Sequence, residues 1–513
     1  MYNQNKMKLF FIVVSSAFLA VLIFTPYGFP LVFVFLVPYF IFLIQENSVI
    51  KLFLGSFLFK LIYWLVLTYF ILDPLPYLWL VAIFLALPAG IIVLKRVIRS
   101  AGYLLLLTFV SVGYSIVDYL AVKYSLIPAF IGYLGVALGN GYFLGLAKYG
   151  GLFGLGLFAA LINGVLAFFI LEYIDFYRRS IKIRRFADVK NFIFAVIFAL
   201  FILFLGIFIS QWGIADRKKE YVSLNNSFKA AIISVDYDFD GGFYPSPRYF
   251  SLEQIAFIEN FIAKKISVLE EQLKNKHFDL VVLPEALLDV ELSDSADAKA
   301  LTDFKISNND VLIREFSGLA KRLKTPLLAN FVTIREKNRY NSAVFFGVGG
   351  EILGIYDKNI LVYGGEYWPF GNWHPFYYDI FRSRLSPRLP VFNSKYAYTP
   401  GSSDKIFNLA RGARFGVLIC LESQIPDRVA TLERAGVNFL INPSSNNWIK
   451  IGLENYLFMS LNLRRIMAVS SNKPIIISGR RDYAGIIFPD GRVEIADFKT
   501  PLNLAIYEGE IRF

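Results

Sequence analysis

One cysteine and two histidines are all that this chain of 513 residues offers of the soft, metal-loving side chains. A lone cysteine, Cys420, excludes an internal disulfide, and histidines as far apart as His277 and His374 leave no plausible zinc set. The sequence therefore asks for no metal and no cofactor. Charge is scarce over residues 8–213, which are long runs of Phe, Leu, Ile and Val. The chain as a whole carries a formal charge of +12, a balance that can mark nucleic-acid binding. Here the basic residues of the first half sit in short clusters between apolar runs, which is how membrane topology is written. Nucleic acid is not an expected partner; membrane lipid is.

A helix needs about 20 apolar residues to cross a bilayer. Seven segments qualify, near 8–25, 29–45, 50–71, 77–95, 102–121, 152–174 and 190–213. A weaker stretch near 127–147, Gly-rich and interrupted by Pro128, reads as a re-entrant or surface-lying piece. Lys6 and Lys8, then Lys51, then Lys95, Arg96 and Arg99 mark alternate loops as basic. Arg178, Arg179, Lys182, Arg184, Arg185 and Lys190 mark another. The loops near 26–28 and 72–76 have no Lys or Arg. This parity puts the N-terminus in the cytoplasm and everything past about residue 214 outside it. No small-residue cleavage site follows the first span, so it reads as a retained helix rather than a signal peptide. Asn163 and Lys148 are the polar residues to explain at membrane depth. The Gly150–Gly151 and Gly154–Gly156 cluster would let helices approach closely. The spans show neither paired intramembrane charges nor an internal repeat, which argues against a transporter.

The expected organisation is thus a transmembrane domain over residues 1–214, a linker at 215–226 and a water-exposed α/β domain over 227–513. Strand-like runs lie at 229–235, 279–283, 326–330, 342–348, 414–419, 438–441 and 474–478. They alternate with helical stretches at 254–275, 311–323, 428–435 and 453–470. Such alternation argues for a layered α/β domain with one large core.

Reactive groups of α/β domains gather where the chain leaves the sheet at the carboxyl ends of strands. Three residues fit: Glu285, Lys358 and Cys420. A carboxylate, an ammonium and a thiol can together perform acyl transfer. The lysine lowers the thiol pKa, the glutamate accepts its proton, and the lysine then helps to hold the oxyanion. Taken singly, each has an ordinary structural reading. Cys420 could be a small buried hydrophobe, Glu285 a helix cap and Lys358 a solvated charge.

The wording around them is more specific. Leu283-Pro-Glu285, then Tyr356-Asp-Lys358-Asn-Ile-Leu-Val362 leading into Gly365-Glu-Tyr-Trp-Pro369, then Ile419-Cys-Leu-Glu422, resembles the nitrilase superfamily, whose members use a Glu-Lys-Cys triad. Asn442-Pro-Ser-Ser-Asn-Asn-Trp448 is similar to the family's segment after the next strand. With several spans ahead of it, the arrangement resembles the membrane-embedded branch, the bacterial apolipoprotein N-acyltransferases. The Lys358 block and residues 146–167 look like that branch more than like a soluble nitrilase. Three departures stand out. Leu421 follows the cysteine where the family has Tyr. Tyr363-Gly364 replaces Pro-Phe ahead of Glu366. The end of the chain, Ile506-Tyr-Glu-Gly-Glu-Ile-Arg-Phe513, is polar where the family has a final membrane helix.

The resemblance implies an α-β-β-α sandwich beside about seven transmembrane helices. It implies Glu285 as general base, Lys358 as oxyanion stabiliser and Cys420 as nucleophile, with Glu366 and Glu422 in support. It further implies transfer of an acyl chain from a phospholipid, phosphatidylethanolamine by expectation, through a Cys420 thioester. The acceptor would be the N-terminal diacylglyceryl-cysteine of a lipoprotein, at the bacterial inner membrane. The aromatic run Tyr367–Tyr378, with Trp368, Phe370 and Trp373, is the expected lipid contact. A membrane-anchored amidase of small amides, using the same triad with water as acceptor, is the alternative reading.

Overall fold

The computed structural model describes residues 13, 16–25, 28–67, 75–97, 102–126, 130–179, 187–236, 252–287, 308–335, 338–363, 366–367, 370, 373, 398–449, 451–497 and 503–513. The chain forms two compact units. One comprises Met1–Lys219, Ile449–Asn472 and Pro489–Gly491; the other comprises Glu220–Trp448, Lys473–Phe488 and Arg492–Phe513.

In the first unit five helices among the described residues are long and apolar enough to cross a membrane. They are Val49–Leu67, Leu78–Arg96, Tyr103–Lys123, Leu144–Ile174 and Ile197–Val222. The protein is a multi-pass membrane protein. The segment expected at 29–45 is only the shorter apolar helix Pro30–Gln45, because its start is a 3-10 turn, Phe29–Phe33, with Pro30 at its head. Of the span expected at 8–25, residues 13 and 16–25 are described, and they include the short helix Ala20–Ile23.

The Gly-rich stretch contains three short 3-10 turns, Phe130–Gly132, Leu134–Gly139 and Leu144–Leu146. Nearly all of their residues are buried. Irregular backbone survives at membrane depth only when protein covers it, and here the cover includes an element distant in sequence. The helix Leu453–Ser471, read above as part of the α/β domain, groups with this unit. The backbone of its Asn462 sits so close to Gly139 that no side chain would fit there. Arg217 donates from Nε to the Val469 carbonyl at 2.9 Å, satisfying a backbone group at the helix end. Gly156 likewise lies against the Tyr133 ring, whereas Gly151 takes φ +56° and kinks the helix Ala147–Arg179. A side chain at Gly150, Gly151 or Gly154 would meet nothing, so close approach in that cluster is confined to Gly156.

Asn163 is fully buried and structural. Its Oδ1 accepts from Leu36 N at 2.8 Å, and its Nδ2 donates to Val32 O at 2.7 Å and Ala159 O at 2.8 Å. Lys148 pairs with Asp216. The expectation of no paired intramembrane charges is overturned. Lys60 and Asp118, both fully buried, meet at 2.5 Å. They lie 58 positions apart on separate apolar helices, so neither charge declares its partner in sequence.

The second unit is a mixed sheet of β1 (Ser227–Val235), β2 (Leu280–Val282), β3 (Leu327–Arg335), β4 (Asn338–Phe346), β5 (Ile352–Asp357), β6 (Ile406–Asn408), β7 (Arg414–Val417), β8 (Phe439–Ser445), β9 (Ile475–Arg480), β10 (Ala484–Ile487), β11 (Val493–Ile495) and β12 (Leu504–Arg512). Its order is β5-β4-β3-β2-β1-β9-β8-β7-β6, with β12 antiparallel on β1 and β10 on β9. Strands β2, β1, β9, β8 and β7 run parallel, so their carboxyl ends share one edge. Residues 506–512 of the polar terminal segment thus belong to a strand, β12.

The two arms of the sheet fold against each other. Phe345 of β4 lies 5.5 Å from Phe407 of β6 and 5.2 Å from Phe415 of β7, ring centroid to centroid. Burying each such ring is worth roughly 2 kcal/mol, which drives the closure. On β1 alternate residues serve two cores. Ala230 and Ile232 face the inter-sheet layer, while Ala231, Ile233 and Val235 face the helices. The helix Asn308–Leu323 supplies Val311, Phe316, Leu319 and Ala320 to that outer core, and Leu252–Leu273 supplies Ile262, Ile266, Leu269 and Leu273. Both faces of the sheet are thereby buried, which is why its central strands read as continuous apolar runs. The helix Pro426–Arg434 buries Val429 and Leu432 and packs the edge near β7. Helix, sheet, sheet and helix form the expected sandwich.

Candidate active site

Glu285, Lys358 and Cys420 each leave a strand end, and the fold brings all three together. Glu285 follows β2 and Lys358 follows β5. Cys420 opens the 3-10 turn Cys420–Gln424 beyond β7. Two of these turns hold left-handed backbone at non-glycine residues: Ala286, directly after Glu285, at φ +48°, and Cys420 itself at φ +53°. Such conformations cost about 1–3 kcal/mol and cluster at functional sites, where the surroundings enforce them.

All three side chains are buried. Lys358 Nζ lies 3.6 Å from Glu285 Oε1 and 2.8 Å from Glu366 Oε2, so one ammonium serves two carboxylates. Asn341 ties the pair together, donating from Nδ2 at 2.7 Å to Glu285 Oε1 and to Glu366 Oε1. Its own Oδ1 accepts from Asn330 at 3.0 Å. Glu366 closes its loop by accepting from Val362 N at 2.8 Å, and the Tyr363-Gly364 departure leaves it in contact with Lys358. Glu285 and the Cys420 thiol lie near enough to shift each other's proton affinity. The thiol also lies 4.0 Å from the Ser445 carbonyl at the end of β8.

The electrostatics follow. Burial pushes the Cys420 thiol up to about 12, and Glu285 adds to that while Lys358 opposes it. At neutral pH the sulfur keeps its proton until a base takes it. Burial also raises the Glu285 carboxyl, against the pull of Lys358 and with a push from Glu366. Burial alone would lower Lys358, but Glu366 and Glu285 outweigh it and hold the ammonium well above its usual value. Lys358 is a permanent cation. The carboxylates outnumber it, so one of them can accept a proton.

Glu422 is fully buried and acts as a strut. It accepts from Asn359 N at 2.8 Å and Ile360 N at 3.1 Å, the residues just after Lys358, and from Ile419 N at 2.9 Å, just before Cys420. Tyr356 donates its hydroxyl to the same carboxylate at 2.8 Å, and Arg428 donates to that hydroxyl at 3.0 Å while pairing with Asp404. Asn442 fixes the other side of the turn, donating to Leu418 O at 2.6 Å and Cys420 O at 3.1 Å. Asn330, Asn341 and Arg428 were given no role by the sequence reading, and Tyr356 and Asn442 entered it only as ends of quoted motifs. Buried asparagines within or beside apolar strand runs were the available signal for three of them.

Leu421 is buried directly after Cys420. Of the aromatic run, Phe370 and Trp373 stack edge to face at 5.5 Å, Tyr367 and Trp373 are exposed, and Trp368 lies outside the described residues. His277 is exposed, and His374 also lies outside the described residues. Among the described residues no group of three or more His, Cys, Asp and Glu side chains is placed to hold a metal ion.

A thiol, a carboxylate and an ammonium at the strand ends of a four-layer sandwich define the carbon-nitrogen hydrolase class, and residues 254–497 match that family. This part of the chain is similar to carbon-nitrogen hydrolases. More particularly, the chain is similar to proteins named apolipoprotein N-acyltransferase. It is 27% identical over 224 residues to apolipoprotein N-acyltransferase 2 of Treponema denticola, covering 43% of this chain and 39% of that one. It is 28% identical over 203 residues to the apolipoprotein N-acyltransferase of Geobacter metallireducens, covering 38% and 35%. The chain thus spans less than two fifths of the length of these relatives, up to 39%. Among solved structures, Saccharomyces cerevisiae Nit3, a member of branch 10 of the nitrilase superfamily, is 17% identical with a TM-score of 0.37. The match covers 56% of this chain and 90% of that one.

Proposed function

We propose that this membrane protein is an acyltransferase of the apolipoprotein N-acyltransferase kind, with Cys420 as nucleophile, Glu285 as base and Lys358 as oxyanion stabiliser. The observation that carries the reading is the buried cluster of Glu285, Lys358 and Cys420 at neighbouring strand ends, with Lys358 3.6 Å from Glu285, in a chain with a multi-pass membrane unit. Glu285 takes the thiol proton as sulfur attacks the ester carbonyl of a phospholipid, phosphatidylethanolamine by preference. Lys358 neutralises the oxyanion. The carbon–oxygen bond breaks, and the lysophospholipid leaves with the proton held by Glu285. In the second half the α-amine of a diacylglyceryl-cysteine attacks the thioester. Glu285 accepts the amine proton and returns it to the departing thiolate, leaving an amide. Two half-reactions through one covalent intermediate give ping-pong kinetics.

Glu366 and Glu422 support the triad, the first by holding Lys358 and the second by joining its loop to the cysteine turn. Phe370 and Trp373, with Trp368, contact lipid. The N-terminus lies in the cytoplasm and the hydrolase domain outside, at a bacterial inner membrane.

The test is the intact mass of purified protein after incubation with phosphatidylethanolamine vesicles, beside Cys420→Ala. A fatty-acyl adduct confined to the wild type is expected. Absence of an adduct while Cys420 still reacts with a small alkylating reagent would overturn the lipid reading in favour of amide hydrolysis.

A further inference from the structure

Arg480 is among the largest fully buried side chains in the molecule, and no step of the reaction above uses it. It ends β9, at the centre of the sheet, and its backbone is registered on both sides. It pairs with Val235 of β1 and with Ser445 of β8, and its carbonyl accepts from Asn446 N at 2.9 Å. The segment beyond it is pinned as well: Ser444 donates to Asp482 at 2.8 Å, and Ser234 donates to the Asp482 carbonyl at 2.5 Å. From this anchored base the Arg480 guanidinium donates to the carbonyl of Ala286 at 3.1 Å.

Ala286 is the residue whose φ of +48° turns the chain directly after Glu285. A left-handed alanine relaxes unless its peptide is held. On the N–H side Asn330 offers only a 3.3 Å contact, so the guanidinium is the charged donor on that turn. The neighbour of Arg480 across the ladder, Ser445, is the residue whose carbonyl faces the Cys420 sulfur. One residue is therefore joined to the peptide that aims the base and to the strand end that faces the nucleophile.

We propose that Arg480 is a positioning residue that holds Glu285 against the Cys420 thiol. The inference rests on the reading of Glu285 as the base. Its test is therefore alkylation of Cys420 by iodoacetamide across pH in the full-length detergent-solubilised protein, which needs no lipid substrate. Wild type is compared with Arg480→Met, Arg480→Lys and Glu285→Gln, with thermal unfolding recorded for each.

Arg480→Met is expected to slow alkylation near neutral pH by about a hundredfold, the scale of a 1 Å misplacement. The deficit should shrink as pH rises and solvent hydroxide replaces the base. Arg480→Lys, which keeps a donor and the charge, should recover part of the rate and serves as the readout if Arg480→Met does not fold. A folded Arg480→Met with the wild-type pH profile would overturn the proposal. So would Arg480→Lys and Arg480→Met unfolding at the same lowered temperature with unchanged profiles. If Glu285→Gln itself alkylates like wild type, the base reading fails, and the positioning role falls with it.

Discussion

Each unit of this protein buries a lysine against carboxylate, and the two sites are built differently. In the membrane unit Lys60 and Asp118 match one to one at 2.5 Å. The ammonium sits over the rings of Tyr63, Phe84 and Tyr114, at 4.4, 4.8 and 5.4 Å. In the hydrolase unit Lys358 faces two carboxylates, with Glu366 at 2.8 Å and Glu285 at 3.6 Å. A balanced pair has no proton acceptor to spare, whereas the second site has one carboxylate more than it has cations. Glu366 accepts from both Lys358 and Asn341, while Glu285, held by Asn341, lies 3.6 Å from the ammonium and close to the thiol. Burial supplies the low dielectric in both places; stoichiometry decides which one can do chemistry.

The sharpest way to break the comparison is to remove the surplus carboxylate. Glu285→Gln should lower the rate of acyl-enzyme formation by about 10²–10⁴, the range of general-base catalysis, with the fold intact by thermal unfolding. The pH profile has a definite sign. On the proposed mechanism Glu285 acts as the unprotonated base, and burial raises its carboxyl above the ordinary value. The acid limb of kcat/KM should therefore lie above the usual carboxylate range and vanish in Glu285→Gln. A limb at the position of a solvent-exposed glutamate would detach Glu285 from the proton transfer.

Next comes the carboxylate that keeps Lys358 occupied. Among the described residues, Glu366→Gln leaves the ammonium with Glu285 as its carboxylate partner and draws the base toward the lysine. The rate should fall by about tenfold to a hundredfold, on the scale of a misplacement near 1 Å. Its acid limb should move down, because the negative neighbour that raises the Glu285 carboxyl is gone. An unchanged limb would show that Glu366 holds the loop and does not tune the base.

How much of this was legible beforehand depended on distance along the chain. The triad, Glu366 and Glu422 were readable because each lies at a strand end or within eight residues of a triad member, in wording that carries a resemblance. The long helices were readable from composition. Asn341 and Arg428 were not, since their value lies in partners 56 and 72 positions away that only the sheet order makes adjacent. The same holds for Lys60 and Asp118. A single charge in an apolar run looks like an interruption until the helix pairing is known. The helix Leu453–Ser471 was readable as a helix, but its packing on the buried 3-10 turns at 130–146 depends on tertiary contacts that periodicity does not encode.

A smaller effect is expected at the exposed aromatics. Trp373 presents its ring to the surroundings at 57% exposure. Replacing it by Ser should slow acylation from vesicles by a few fold, about 1 kcal/mol of lost apolar burial, and leave alkylation of Cys420 unchanged. Equal rates on vesicles would remove Trp373 from the lipid contact.

The smallest effect on catalysis should come from the balanced pair, although its effect on stability is large. Lys60→Met strands the Asp118 charge and should cost about 3–5 kcal/mol, read as a lowered unfolding temperature. The rate per folded molecule should stay at the wild-type value. Removing both charges together, as Lys60→Met with Asp118→Leu, should recover much of the loss, because a matched pair replaced by apolar groups of similar size is often neutral. If instead either variant slowed acyl-enzyme formation at constant folded fraction, the pair would do more than hold helices together. Lys60 and Asp118 would then belong to the acyl transfer as well as to the helix packing.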